Sequence, residues 1–177
     1  MGFDLGNIPT RNTAGAFHVV VESPRGSGIK FKYEPALGGI LFERPLISGL
    51  VYPFDWGFVP GTRAPDDDPL DALILFDQPT FPGAIVPCRA LGVIRVKQRR
   101  RKETAWQRND RLVAVPVKAA RLDRLRQVRD LSRRQRDEFG QFFLSAVLFQ
   151  GKQVEMLGWG GAAEGEKLVD HLTVTAG

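Results

Sequence analysis

Asp66-Asp67-Asp68-Pro69-Leu70-Asp71 crowds four carboxylates into six residues around one proline. Pro69 fixes its own backbone angle and biases Asp68 toward an extended conformation. In an extended approach Asp66 and Asp68 share one side of the chain, and Asp71 can turn back beside them. Carboxylates held this close repel one another unless positive charge sits among them. A hard divalent cation is the natural neutraliser, Mg²⁺ above all, with Mn²⁺ or another divalent ion as a substitute.

An Asp/Pro cluster is ordinarily a solvated turn. Its flanks argue otherwise here. Trp56-Gly57-Phe58-Val59-Pro60 precedes it, and Ala72-Leu73-Ile74-Leu75-Phe76 follows Asp71. A calcium-binding EF-hand loop is excluded, because Leu70 and Asp71 would stand where that loop needs a ligand and a glycine.

Outward from this stretch, 177 residues with 43% hydrophobic and 25% charged residues describe one globular domain with a proper core. Residues 1–16 show little periodicity and are expected to be a loose arm, leaving 17–177 as the domain. Cys88 is the only cysteine, so a reducing, cytoplasmic setting is expected. No apolar signal core or membrane-spanning run is present. A net charge of +5 favours anionic partners such as phosphates or nucleic acid. Much of the excess lies in Lys97-Gln98-Arg99-Arg100-Arg101-Lys102, expected to be an exposed hairpin tip, and between Arg121 and Arg136.

Alternation predicts strands at Phe17–Glu22, Ile29–Tyr33, Ile40–Arg44, Ala72–Phe76, Leu112–Val117 and Gln153–Leu157, with one or two more in Ala84–Val96. Short strands punctuated by Gly and Pro favour a small closed barrel over a parallel sheet. Helices come late. Ser132 and Gln135 fit a capping box. Phe139, Phe142, Phe143, Ala146 and Val147 recur at helical spacing, and Gly151 is placed to end that helix. Residues 162–172 read as a closing helix. His18, His171 and Cys88 read as structural, and Trp56, Trp106 and Trp159 as packing groups.

The order Glu22-x-Pro24, Lys30, Arg44, Tyr52-Pro53, Gly57-Phe58-Val59-Pro60 and Asp66-x-Asp68-Pro69-Leu70-Asp71 resembles that of soluble family I inorganic pyrophosphatases. The likeness continues through Pro82-Gly83, Cys88-Arg89, Leu91-Gly92-Val93, Leu112–Pro116 and Gly158-Trp159, covering roughly residues 17–160. It implies a mainly β, α+β fold: a five-stranded OB-like closed barrel with about two flanking helices. It implies Mg²⁺-dependent hydrolysis of pyrophosphate to two phosphates, in a homo-oligomer; no membrane partner is expected, and nucleic acid is the less favoured partner. Carried over by position, Asp66, Asp68 and Asp71 are metal ligands, and Asp68 also helps deprotonate the attacking water. Lys30 and Arg44 hold pyrophosphate oxygens, with Glu22 in the surrounding network.

The chain also departs from the family pattern. Gln98 and Asn109 stand where the family has metal-binding aspartates, and Arg111 where it has a phosphate-binding lysine. A one-residue slip would make Asp110 a metal ligand instead. Trp56 replaces an active-site tyrosine, Lys32 a glutamate, and Ala146-Val147 a Tyr-Lys pair. Fewer metal ions are therefore expected. Ala146-Val147 together with the basic run opens one alternative, a bulkier phosphoanhydride substrate such as a nucleotide or short polyphosphate; the OB-like barrel and the net positive charge open another, a catalytically weak phosphate- or nucleic-acid-binding module.

Overall fold

The computed structural model describes residues 4–174. In chain order the strands are β1 (Phe17–Ser23), β2 (Ile29–Glu34), β3 (Gly39–Pro45), β4 (Asp55–Val59), β5 (Leu70–Ile74), β6 (Ile85–Arg100), β7 (Gln107–Arg108), β8 (Arg111–Pro116) and β9 (Lys152–Gly161). Helix α1 (Arg133–Ala146) precedes β9 and α2 (Ala162–Leu172) follows it.

Backbone hydrogen bonding closes β1, β4, β5, β8 and β6 into a ring. β1 pairs antiparallel with β4, β4 with β5, β8 with β6, and β6 returns to β1; the β5–β8 pair alone is parallel. The expected five-stranded barrel is therefore present. All of Ala84–Val96 except Ala84 proves to be part of one long strand, β6, with register shifts at Ala90/Gly92 and Arg95/Val96. Those bulges let its first half stay in the ring while its second half leaves to pair with β7 and β9. β2 and β3 form a separate hairpin.

Strand alternation sorts the side chains into two main layers. Phe17, Val19, Val59, Leu70, Ala72, Ile74, Cys88, Ala90, Leu112 and Ala114, drawn from all five ring strands, meet in one fully apolar cluster, and Val169 of α2 joins it. The second cluster lies on the outer face, where Phe54, Trp56, Leu73, Leu91 and Val113 pack under Phe139, Phe142 and Phe143 of α1. Phe54 and Phe139 meet edge to face at 5.2 Å between ring centroids, a geometry that adds to area burial. Val20, Phe58, Tyr33 and Leu5 make a smaller cluster under the β2–β3 hairpin.

The capping box forms as expected: Gln135 N–H donates to Ser132 Oγ at 3.2 Å, and Ser132 N–H donates to Gln135 Oε1 at 2.9 Å. The helix ends earlier than expected, at Ala146. Arg44 Nη2 donates to the Ala146 carbonyl at 2.8 Å, and Gln150 N–H turns to Val147 O at 3.0 Å. Phe149 and Gly151 then take left-handed φ values of 65° and 66°, making the chain reverse into β9.

Residues 4–16 are not loose. Leu5 is buried, Asp4 accepts from Gly6 N–H at 2.9 Å and from the Tyr33 hydroxyl, and Arg11 pairs with Glu166 at 2.9 Å and Asp170 at 2.8 Å on α2. These contacts repay the ordering entropy that the polar composition suggested would not be repaid. Residues 1–3 of the expected arm lie outside the described residues. Among the described residues no helix is long and apolar enough to cross a membrane.

Gly57 marks where β1 and β4 cross most tightly: a Cβ there would lie 1.9 Å from Val20 O. Gly57→Ala is expected to lower the unfolding free energy by about 2–3 kcal/mol, measured by urea denaturation against wild type.

Candidate active site

A cavity of about 480 Å³ opens on the outer face of the ring, between the β2–β3 hairpin, the loop into β5, and the end of α1 with the start of β9. Strand alternation places its central acid. Leu70, Ala72 and Ile74 point into the barrel, so Asp71 points out into the cavity. The other acids arrive on a turn. Asp67 N–H donates to Ala64 O at 3.0 Å, Ala64 N–H donates to Asp68 O at 2.8 Å, and Asp67 sits at φ 67°. Thr62 locks the base of this loop, donating to Val59 O at 2.6 Å and accepting from Leu70 N–H at 2.9 Å. Asp66 and Asp68 thus reach the cavity from a left-handed turn rather than from the extended run expected, and Asp67, exposed, does not line it.

Each of the three cavity aspartates already has a donor. Lys32 Nζ lies 3.0 Å from both carboxylate oxygens of Asp68. Arg111 Nη1 lies 3.1 Å from Asp71 Oδ2, with its guanidinium 5.8 Å from the centre of the Trp56 ring. Asp66 Oδ2 accepts from the Asn109 amide and, at 3.4 Å, from Gln98 Nε2. Lys30 pairs with Glu43 at 2.8 Å, and the β2–β3 register sets Lys30 directly across from Arg44.

The buried acids feel this crowding. Burial pushes Asp71 above the usual carboxylate range, Arg111 and Lys30 pull it back, and Asp66 and Asp68 push it up again. Glu22, nearly inaccessible, is driven to about 8 by burial; the Tyr33 N–H, which it accepts at 2.7 Å, only partly offsets this. Burial works against the Lys32 ammonium, but the hydrogen bond and charge of Asp68 outweigh it and hold its pKa above the ordinary lysine value.

The structure brings Glu22, Lys30, Arg44, Trp56, Asp66, Asp68, Asp71 and Arg111 to one cavity. Asp110 is not among its lining residues. Its carboxylate is turned away, accepting from Val96 N–H at 2.9 Å and from Arg108 at 3.0 and 2.7 Å. The expected slip does not occur, because the β6–β8 register points Asn109 at Asp66 and leaves Asp110 to fasten the bulged edge of β6. Arg99, Arg100, Arg101 and Lys102 also lie outside the cavity lining, at an exposed hairpin tip where Lys97 and Arg99 stack on Trp106 at 4.8 and 4.7 Å. Lys152, the first residue of β9, also lines the cavity, and no motif or periodicity in the sequence points to it.

The donor chemistry suits a hard divalent cation. Among the described residues no three acidic, histidine or cysteine side chains converge to form an all-protein cage. Mg²⁺ does not need one, because it typically keeps several waters and takes one or two carboxylates together with substrate phosphates. Asp66 and Asp71, both lining the cavity, fit that mode; the amides of Asn109 and Gln98 turn their N–H donors to Asp66 and add no ligand oxygen there.

A sequence profile described as inorganic pyrophosphatase matches residues 19–175. The inorganic pyrophosphatase of Synechocystis sp. is 35% identical over 156 residues, covering 88% of this chain and 89% of that one. That of Streptomyces coelicolor is 37% identical, covering 88% and 92%. The crystal structure of inorganic pyrophosphatase from Thermus thermophilus superposes with a TM-score of 0.88 at 31% identity, over 97% of both chains. The Helicobacter pylori inorganic pyrophosphatase superposes with a TM-score of 0.83 at 25% identity, over 94% and 96%.

Glu22 makes stability depend on pH. Its pKa is raised on folding from 4.5 to about 8, so the folded state holds the proton more tightly. Its contribution is complete below pH 4.5 and is lost as pH rises through 8. Glu22→Gln, which stays neutral, is expected to melt with wild type at pH 4.5 and to be more stable by roughly 2–4 kcal/mol at pH 8.5. Thermal melts across that range, without divalent ions, measure the difference.

Proposed function

This chain belongs to the inorganic pyrophosphatase family, and on that footing we propose that it hydrolyses inorganic pyrophosphate to two phosphates with the help of Mg²⁺. The observation that carries the reading is one cavity holding Asp66, Asp68 and Asp71 among Lys30, Arg44 and Arg111. Phosphoryl transfer asks the protein mainly to position groups and stabilise charge, and this cavity offers both signs of charge at short range.

In this reading Lys30 and Arg44, facing each other across the β2–β3 ladder, hold oxygens of the bound pyrophosphate. Arg contributes a planar fork and Lys a point charge. Arg111, fixed by Asp71 and by Trp56, faces the negative charge that builds on the leaving phosphate as the bridging P–O bond breaks. Asp68, held by Lys32, takes the proton of the attacking water on a carboxylate oxygen. Glu22, neutral near pH 7 because of its burial, adds no further negative charge to a site that must accept a highly anionic substrate. Asp66 and Asp71 would hold the divalent cation. That ion, when bound, supplies charge to phosphate oxygens and lowers the pKa of water bound to it. Mn²⁺ would serve in its place.

Lys32, Gln98 and Asn109 support a reduced metal content, since each supplies hydrogen bonds or positive charge to a carboxylate. The basic hairpin lies outside the cavity lining, so it lends no support to a bulkier phosphoanhydride. The lone Cys88, fully buried, is consistent with a cytoplasmic setting. Leu144, Leu148 and Phe149, exposed near the end of α1, are consistent with assembly into a homo-oligomer.

Phosphate release from pyrophosphate with Mg²⁺ is the test. Wild type is expected to turn over, and Asp68→Asn to lose roughly 100-fold or more in kcat while melting normally. A folded wild type that releases no phosphate with Mg²⁺ or Mn²⁺ would sink the reading.

A further inference from the structure

Five cationic side chains line the cavity, and four of them are already engaged. Lys30 pairs with Glu43 at 2.8 Å, Lys32 with Asp68 at 3.0 Å and Arg111 with Asp71 at 3.1 Å. Arg44 donates to the carbonyls of Ala146 at 2.8 Å and Pro45 at 3.2 Å. The fifth is Lys152. Among the described residues no carboxylate lies within ion-pair distance of its ammonium, and it makes no side-chain hydrogen bond.

The position of Lys152 is imposed by the fold. Its backbone pairs with Arg100 at the start of the β6–β9 ladder. The Gly151 carbonyl just before it accepts Arg101 N–H at 2.7 Å. The two left-handed residues Phe149 and Gly151 reverse the chain out of α1, so β9 begins at the cavity rim. Ala146 and Val147, which line the same end of the cavity, carry no polar side-chain atom. Arg44 also reaches this end but is bonded to the Ala146 carbonyl, so Lys152 is the cation here with no partner among the described residues.

Its surroundings favour an anion. Lys152 is exposed at the cavity rim, and partial desolvation with the like charges of Lys30 and Arg111 holds its ammonium below the ordinary lysine value, with Asp66 and Glu43 opposing them only in part. A charge crowded by like charges and lacking a counter-ion gains more from an arriving anion than one already paired. Its three donors suit a phosphate oxygen.

Building on the reading of this cavity as a pyrophosphate site, we propose that Lys152 is a further substrate-binding residue, which holds a phosphate oxygen of pyrophosphate from the start of β9. It stands in for the polar side chains that Ala146 and Val147 do not supply.

The test compares Lys152→Met and Lys152→Arg with wild type and with Lys118→Met, an exposed lysine outside the cavity lining. Two quantities are read: the KM and kcat for pyrophosphate with Mg²⁺, and the Kd for inorganic phosphate by titration calorimetry in the same buffer. Lys152→Met is expected to raise both KM and Kd roughly 10- to 100-fold, with unchanged melting temperature. Lys152→Arg is expected to recover most of the loss, and Lys118→Met to match wild type. A purely structural role would change melting temperature and the active fraction without moving KM, and that pattern overturns the proposal. So does a Lys152→Met protein whose KM and Kd equal those of an active wild type, and in that case the assignment of the site itself stands. A folded wild type that neither hydrolyses pyrophosphate nor binds phosphate overturns both.

Discussion

The alternation of side chains along β5 ties the stability of this protein to its chemistry. Leu70, Ala72 and Ile74 fill the interior of the ring, and Asp71 between them is thereby sent to the outer face. A slip of one residue would bury the carboxylate in the barrel and expose the apolar set. The register is held on both sides, by antiparallel pairing of Phe58 with Asp71 and by parallel pairing of Ala72 with Leu112. The acid at the centre of the cavity is thus positioned by the hydrophobic core, with no contribution needed from its own neighbours in the site.

Around that acid the cavity works as a balance of charge. Lys32, Arg111 and the amides of Asn109 and Gln98 each attend to one aspartate. Lys32 and Asp68 are both about half exposed, so their pairing is worth little in stability, and a stronger cation or a tightly held anion can rearrange it. Arg111 is more committed: it is mostly buried, bonded to Asp71 and to Asn109 O, and stacked near Trp56. The contrast separates a solvent-exposed pairing, between β2 and the acidic turn, from a more buried one between β5 and β8.

The long strand β6 joins these parts. It shares the ring with β1 and β8 in its first half and carries β9 in its second. Through β9 it fixes both Lys152 and the reversal that ends α1. Arg44 closes the circuit by bonding the Ala146 carbonyl, so a substrate that draws on Arg44 also draws on the terminus of the helix whose phenylalanines cover the outer core.

Much of this was legible from the chain alone. Period-two alternation and Gly/Pro spacing marked most strands, and the Ser132–Gln135 box with the phenylalanine stripe marked α1, because both are local signals. The acidic stretch with Lys30 and Arg44 pointed to phosphate and metal chemistry through residue type and order. Three things needed the tertiary structure. The end of α1 was set by Arg44, a hundred residues away in sequence. The choice of Asn109 over Asp110 was set by the register of β8 against a bulged β6. The cation at position 152 was set by where a strand happens to begin. Residue chemistry and short-range periodicity are written in the sequence itself, whereas long-range register and the meeting of distant segments follow from how the whole core packs, and that is not decided within any one stretch of chain.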